Sequence, residues 1–256
     1  MADSSSPDVV EAALLIIGDE ILSGRTKDAN LAYLATWLNE IGIQLAEVRV
    51  VRDDQDQIAD ALNALRKAYS YVFTTGGIGP THDDITIDSV AYALGVPVVT
   101  DPDADRLLRT YYREGDYTPA RKRMARVPEG AELITNPVSI APGVRIENIF
   151  ILAGVPKIMQ AMLEGVRPLL KGGRKIHSVA VTVKAPESRL AEGLGVIQDA
   201  YPTVSIGSYP YFKDGTGGAQ IVARSADEAI AAEVIAKVTT MAEDMGYQTE
   251  PVDMPR

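Results

Sequence analysis

The chain has 256 residues, 46% of them apolar, enough for one large domain or for a larger and a smaller one. With no cysteine and only His82 and His177, it excludes disulfides, thiol nucleophiles, cysteine zinc sites and a histidine-rich metal cage, so any metal must rest on oxygen ligands. A net charge of −10 argues against nucleic acid as a partner, and no apolar run approaches the roughly 18 to 20 residues of a membrane helix.

Residues 1–10 lack the basic start and apolar stretch of a secretory signal and read as a flexible tail, which points to a cytoplasmic protein. Residues 10–17 form a nearly continuous apolar run, as expected for a strand covered on both faces. Leu31, Leu34, Ala35 and Leu38 repeat at helical spacing and predict a helix over 30–41, stopped by Gly42. A strand over 44–51, a helix over 55–69, a strand over 71–75 and a helix over 81–94 ended by Gly95 follow. This βαβαβα order implies a parallel sheet with right-handed crossovers.

The pattern then becomes less regular. A helix is expected over 103–113, and strands over 132–135 and 148–153 flank a turn-rich stretch at 136–143. A helix over 156–170 starts with Pro156 in its first turn, where a missing N–H costs little. Lys171-Gly-Gly-Arg174 reads as a linker between a domain over 11–172 and a smaller one over 173–256. The smaller one carries a strand over 178–183, a helix over 188–200, a strand over 204–211, a hairpin turn over 213–218, a strand over 219–223, a helix over 227–245 and a last strand over 247–252. That βαββαβ order predicts a ferredoxin-like layer.

The chemistry concentrates in Thr74-Thr-Gly-Gly-Ile-Gly-Pro-Thr-His-Asp-Asp84, between the third strand and the helix after it. Glycines let the backbone approach an anion, and a following helix offers free N–H groups and the positive end of its dipole. Two carboxylates beside a phosphate make sense with a divalent cation between them. Asp19 and Glu20 close the first strand, and parallel strands one and three end on the same edge, where open α/β sheets bind ligands. Plainer readings stand beside these. Thr81 and Asp84 have capping-box spacing, Asp83 suits a first helical turn, and Asp19 and Glu20 suit an ordinary turn. Arg121, Lys122, Arg123 and Arg126 form either a solvated face or a group reaching an outer phosphate. His82 lies inside the loop, and Ser139 with Ala141-Pro-Gly143 reads as structural.

Ile17-Gly-Asp-Glu-Ile-Leu-Ser-Gly24, Asp28-Ala-Asn30 and the glycine loop resemble the molybdopterin-binding MoaB/Mog-like domain, in the version found in the competence/damage-inducible protein A (CinA) family. Asn136-Pro-Val-Ser-Ile-Ala-Pro-Gly143 and Ala153-Gly-Val-Pro-Lys157 resemble its downstream motifs, with Ser139 and Ile140 where the family has Gly-Thr, and Ala153 where it has Pro. The resemblance implies a doubly wound, three-layer α/β/α sandwich, a homo-oligomer, and a nucleotide or pterin pocket. Gly76, Gly77 and Gly79 would cradle phosphate, and Asn30 and Thr81 would be polar anchors. Asp19, Glu20, Asp83 and Asp84 would be the catalytic and metal-binding candidates, for Mg2+, Mn2+ or Co2+. The implied activity is metal-dependent hydrolysis of ADP-ribose and similar pyrophosphates. The alternatives are molybdopterin binding or adenylyl transfer, and a non-catalytic nucleotide-binding module. The chain ends at Arg256 without the nicotinamide-nucleotide deamidase domain that full-length members append, so amidase activity is not expected.

Overall fold

In the computed structural model, which describes residues 9–213 and 216–252, the first strand, β1 (Val10–Ile17), sends alternate side chains into two separate cores. Ala12, Leu14 and Ile16 enter one, while Ala13, Leu15 and Ile17 enter the other. A strand buried on both faces must be apolar throughout, and this explains the uninterrupted run.

After a single helical turn, α1 (Asp19–Leu22), come α2 (Asn30–Glu40), β2 (Ile43–Val51), α3 (Gln55–Ala68), β3 (Tyr71–Thr75) and α4 (Thr86–Leu94). Asp54 caps α3 by accepting the Gln57 amide at 3.0 Å, an interaction type worth about 1 kcal/mol. A small annex follows: β4 (Val98–Thr100), α5 (Pro102–Tyr111), α6 (Pro119–Lys122) and β5 (Arg126–Pro128). The chain returns to the main sheet through β6 (Glu132–Ile134), β7 (Gly143–Ile146) and β8 (Ile149–Leu152), then covers it with α7 (Pro156–Val166).

The main sheet has the order β2-β1-β3-β8-β7-β6, with β2, β1, β3 and β8 parallel. Leu34, Trp37 and Leu38 of α2 share one core with Met159, Met162 and Leu163 of α7. Ile58, Leu62 and Leu65 of α3 share the other with Ile87 and Val90 of α4. Phe73 and Phe150 stack on neighbouring strands with ring centroids 5.2 Å apart. The layers are therefore α/β/α. Because the chain leaves β1 for β2 on one side and then crosses to β3 on the other, the order reverses beside β1, and a crevice opens at the strand ends there.

Several sequence expectations need correction. The sheet is mixed, since β7 and β6 add antiparallel strands to the parallel set, and β7 begins at Gly143, inside what reads as a turn-rich stretch. The helix expected over 81–94 begins only at Thr86. Thr86 donates its amide to the Gly77 carbonyl at 3.0 Å and its hydroxyl to the Gly76 carbonyl at 2.9 Å, which pins its start to the glycine loop. The helix expected over 156–170 stops at Val166, and Arg167–Leu169, with Pro168 at its centre, continues as a 3-10 turn. The strand pair β4 and β5 carries no pattern long enough to be read from sequence.

The chain divides into two compact units at Gly173 and Arg174. The second unit contains β9 (His177–Val183), α8 (Glu187–Ala200), β10 (Ser205–Lys213), β11 (Thr216–Ser225), α9 (Glu228–Asp244) and β12 (Thr249–Val252). Its sheet runs β10-β11-β9-β12, antiparallel throughout, which is the ferredoxin-like arrangement of a βαββαβ chain. Val181, Val183, Ile221, Val234 and Val238 share its core. Of the hairpin turn expected over 213–218, residue 213 belongs to β10 and residues 216–218 to β11; residues 214 and 215, like 1–8 and 253–256, lie outside the described residues. No helix among the described residues is long and apolar enough to cross a membrane.

Candidate functional site

The end of β3 turns sharply at Gly76 and Gly77, whose φ angles of 102° and 64° fall in the region that side chains disfavour. A Cβ on Gly76 would collide with the Ile17 carbonyl oxygen, and one on Gly77 with the Thr86 hydroxyl. The loop is pressed against the end of β1 and the start of α4, with no room for side chains at either position. The loop after β8 is equally close, since a Cβ on Gly154 would lie 3.2 Å from Gly76 Cα. The Gly76 amide is taken by the Leu152 carbonyl at 3.3 Å, whereas the amides of Gly77, Ile78 and Gly79 meet no protein acceptor among the described residues.

These glycines border a cavity of about 510 Å³ in the crevice between β1 and β3. Ile16, Ile17, Ile78, Met124, Ile158 and Met162 supply its apolar walls. Asn30, only 4% exposed, projects from the first turn of α2 and donates Nδ2 to the Gly154 carbonyl at 2.8 Å. Its Oδ1 is buried and unpartnered, as is the hydroxyl of Thr75, which also lines the cavity. A buried polar atom without a partner costs about 1 to 3 kcal/mol. Both atoms belong to residues that line the same cavity.

The structure brings Glu20, Asn30, Gly76, Gly77, Gly79 and Asp84 to this cavity and leaves Asp19, Thr81 and Asp83 off its lining. Asp19 turns to Arg52, whose Nε donates to it at 3.0 Å, both side chains being largely exposed. Asp83 is exposed beside His82. Thr81 donates both its amide, at 2.7 Å, and its hydroxyl to Asp84 Oδ2. That pair has capping-box spacing yet caps no helix: it braces the loop, with Asp84 lying over Gly79, where an added Cβ would be 2.6 Å from Oδ2. The Glu20 carboxylate folds over Gly18 in the same manner and has no hydrogen-bond partner among the described residues. Among the described residues, no three acidic or imidazole side chains gather as a metal cage.

Asp53, two residues beyond the end of β2, carries no motif in the sequence, although β2 ends on the same edge as β1. Its Oδ2 accepts the Asp19 amide at 3.0 Å. Burial pushes its carboxyl up, and the charges of Glu20, Asp19 and Asp83 push the same way, against the lowering effect of the Asp19 amide. Lys27, an ordinary surface charge in sequence, is the one basic residue among the described residues that line the cavity. Of the basic group, Arg126 holds Asp88 with two bonds of 3.0 and 2.7 Å, and Arg121 lies over the Tyr112 ring at 4.3 Å. Arg123 reaches the Asp84 carbonyl at 3.4 Å. Asn136 organises the 136–143 loop, accepting the Val138 and Ser139 amides and donating to Ser139 Oγ and the Ala141 carbonyl.

Residues 13–172, which hold all but the first three residues of the cavity-bearing sheet, match the family described as a probable molybdopterin binding domain. The chain belongs to the molybdopterin-binding domain family. Residues 175–250 match a second family, the FAD synthase middle domain. A CinA-like protein of Desulfosudis oleivorans is 35% identical over 209 residues, covering 77% of this chain and 51% of the relative. A CinA-like protein of Salinibacter ruber is 37% identical over 202 residues, covering 74% and 49%. The chain therefore spans about half the length of these two relatives. The solved structure of CinA from Thermoplasma acidophilum, described as of unknown function, is 35% identical and superimposes with a TM-score of 0.59, covering 62% of this chain and 97% of that one. The glycine loop, the crevice and the Asn30 contact all fall within the molybdopterin-binding domain.

Proposed function

We propose that the molybdopterin-binding domain takes a phosphorylated heteroaromatic ligand in this cavity and, with a divalent cation, hydrolyses a nucleoside diphosphate linkage of the ADP-ribose class. The observation that carries the reading is the row of free amides at Gly77, Ile78 and Gly79. Successive unpartnered amides beside open space make an anion nest. A volume of about 510 Å³ suits a ligand of nucleotide or pterin size. Asn30 Oδ1 is a fixed acceptor, because Nδ2 is tied to Gly154, and it suits the N–H edge of a base or pterin.

The donor set fits Mg2+, Mn2+ or Co2+ only as an ion shared with the substrate. Asp84 would supply a carboxylate oxygen, with water and phosphate oxygens completing the shell, as is usual for Mg2+. Such an ion neutralises pyrophosphate charge and lowers the pKa of bound water. The Glu20 carboxylate, which has no hydrogen-bond partner among the described residues, would be the remaining carboxylate that accepts the proton of the attacking water as general base. Asp84, braced by Thr81, would hold its place against Gly79. Turnover of ADP-ribose and FAD, with each metal and with chelator, tests this. Hydrolysis that needs the metal and falls at least a hundredfold in Glu20→Gln supports it; intact substrates under every condition refute it.

A second reading, molybdopterin binding or adenylyl transfer, draws on the match of residues 13–172 to a probable molybdopterin binding domain. Pterin fluorescence that copurifies with the protein, in place of hydrolysis, would select it.

A further inference from the structure

Any phosphate in the cavity meets a charge problem. Glu20, Asp28 and Asp84 line it, and the whole chain carries −10. Free amides offer partial positive charge but no full counter-charge. Of the nearby cations, Arg52 pairs with Asp19 at 3.0 Å and Arg126 with Asp88 at 2.7 Å, while Arg123, without an ion pair among the described residues, reaches the Asp84 carbonyl at 3.4 Å but is not on this cavity's lining. Lys27 differs from all three. It lines the cavity from the segment between α1 and α2, is exposed, and has no ion pair among the described residues. Its neighbour Asp28 is turned to another task, accepting the Leu31 amide at 2.8 Å to start α2. The Thr26 amide donates to the Glu20 carbonyl at 3.0 Å, which ties the approach to Lys27 to α1. The lysine thus stands on an anchored segment, while Asn30, three residues on, is fixed to Gly154 at the cavity wall.

We infer that Lys27 is the cation that holds a ligand's phosphate against the glycine loop, so that phosphorylated ligands bind without a metal. The inference rests on the reading of the cavity as a phosphate site and adds how that site is neutralised. Binding and hydrolysis then separate: the lysine and the amides capture the phosphate, and the divalent cation is needed only for turnover. Specificity also follows, because the lysine rewards a phosphate and contributes nothing to an uncharged nucleoside.

The test is calorimetric titration of the full chain with ADP-ribose, AMP and adenosine in the presence of EDTA, at low and high salt. The wild type is expected to bind ADP-ribose and AMP without metal, more weakly as salt rises. Lys27→Gln should bind both about tenfold more weakly, with a flatter salt dependence and unchanged affinity for adenosine. Lys27→Arg should stay within about threefold of the wild type, since it keeps the charge. The residue is exposed, so thermal unfolding of both variants should match the wild type. If the wild type binds these phosphates in EDTA and Lys27→Gln binds them equally well, the inference alone fails. If the wild type binds them only with metal, Lys27 is not the neutralising charge and the inference again fails alone. If the wild type binds no phosphorylated probe with or without metal, the phosphate-site reading fails and takes the inference with it.

Discussion

Asn30 and Gly154 are joined by a hydrogen bond of 2.8 Å from the Asn30 amide nitrogen to the Gly154 carbonyl, across 124 residues of sequence. That bond fixes the orientation of the amide and so decides that an acceptor, not a donor, is left unpartnered at the cavity. Replacing Asn30 with Asp sets a carboxylate oxygen against the Gly154 carbonyl. Asn30→Asp should lose about 1 to 3 kcal/mol of stability in denaturant unfolding, and with it ligand affinity. Unchanged stability would mean that the bond does not organise the crevice.

The glycine loop makes a comparative prediction. Gly95 has φ 70° and nothing within 4 Å of an added Cβ, so Gly95→Ala meets only the left-handed backbone cost, about 1 to 2 kcal/mol. Gly76 adds a collision with the Ile17 carbonyl. Gly76→Ala should therefore destabilise more than Gly95→Ala and abolish ligand binding, while Gly95→Ala binds normally once folded.

Ile140 occupies φ 67°, a rare conformation for a β-branched residue, and lies outside the hydrophobic clusters. Ile140→Gly should raise stability by up to about 1 kcal/mol in thermal unfolding. A fall would show that contacts of the side chain outweigh the backbone strain.

Much of this site is legible in sequence because parallel topology places strand ends on one edge. The apolar run of β1 and the βαβ order suffice to bring Glu20 and the glycine loop to one edge, while Asn30 enters only through the family resemblance. What escapes is decided by distant contacts. The Thr81 and Asp84 pair has the spacing of a helix cap, but Thr86 bonded to Gly76 and Gly77 wins the helix start, and the pair becomes a brace. The antiparallel β6 and β7 are too short to show a period. Lys27 is an unremarkable surface charge until the cavity is seen. Asp53 could have been found, since the third parallel strand end was available to the same argument.

Asp53 also carries a pH prediction. Its carboxyl titrates above the ordinary 3.8 because burial and three neighbouring acids disfavour its charge. The folded state then binds this proton more tightly than the unfolded state, so ionising Asp53 costs stability as pH rises through and above 3.8. Asn can still accept the Asp19 amide. Measured with chelator, Asp53→Asn should be more stable than the wild type near neutral pH, with the advantage vanishing below 3.8. A pH-independent difference would contradict the crowding of acids at this edge.

Phosphate capture by the free amides of Gly77, Ile78 and Gly79 can be read directly by amide NMR. Titration with ADP-ribose should shift these three resonances together and most strongly, with Asn30 following at the other side of the cavity. Saturable binding that leaves all three unmoved would place the phosphate elsewhere and contradict the account.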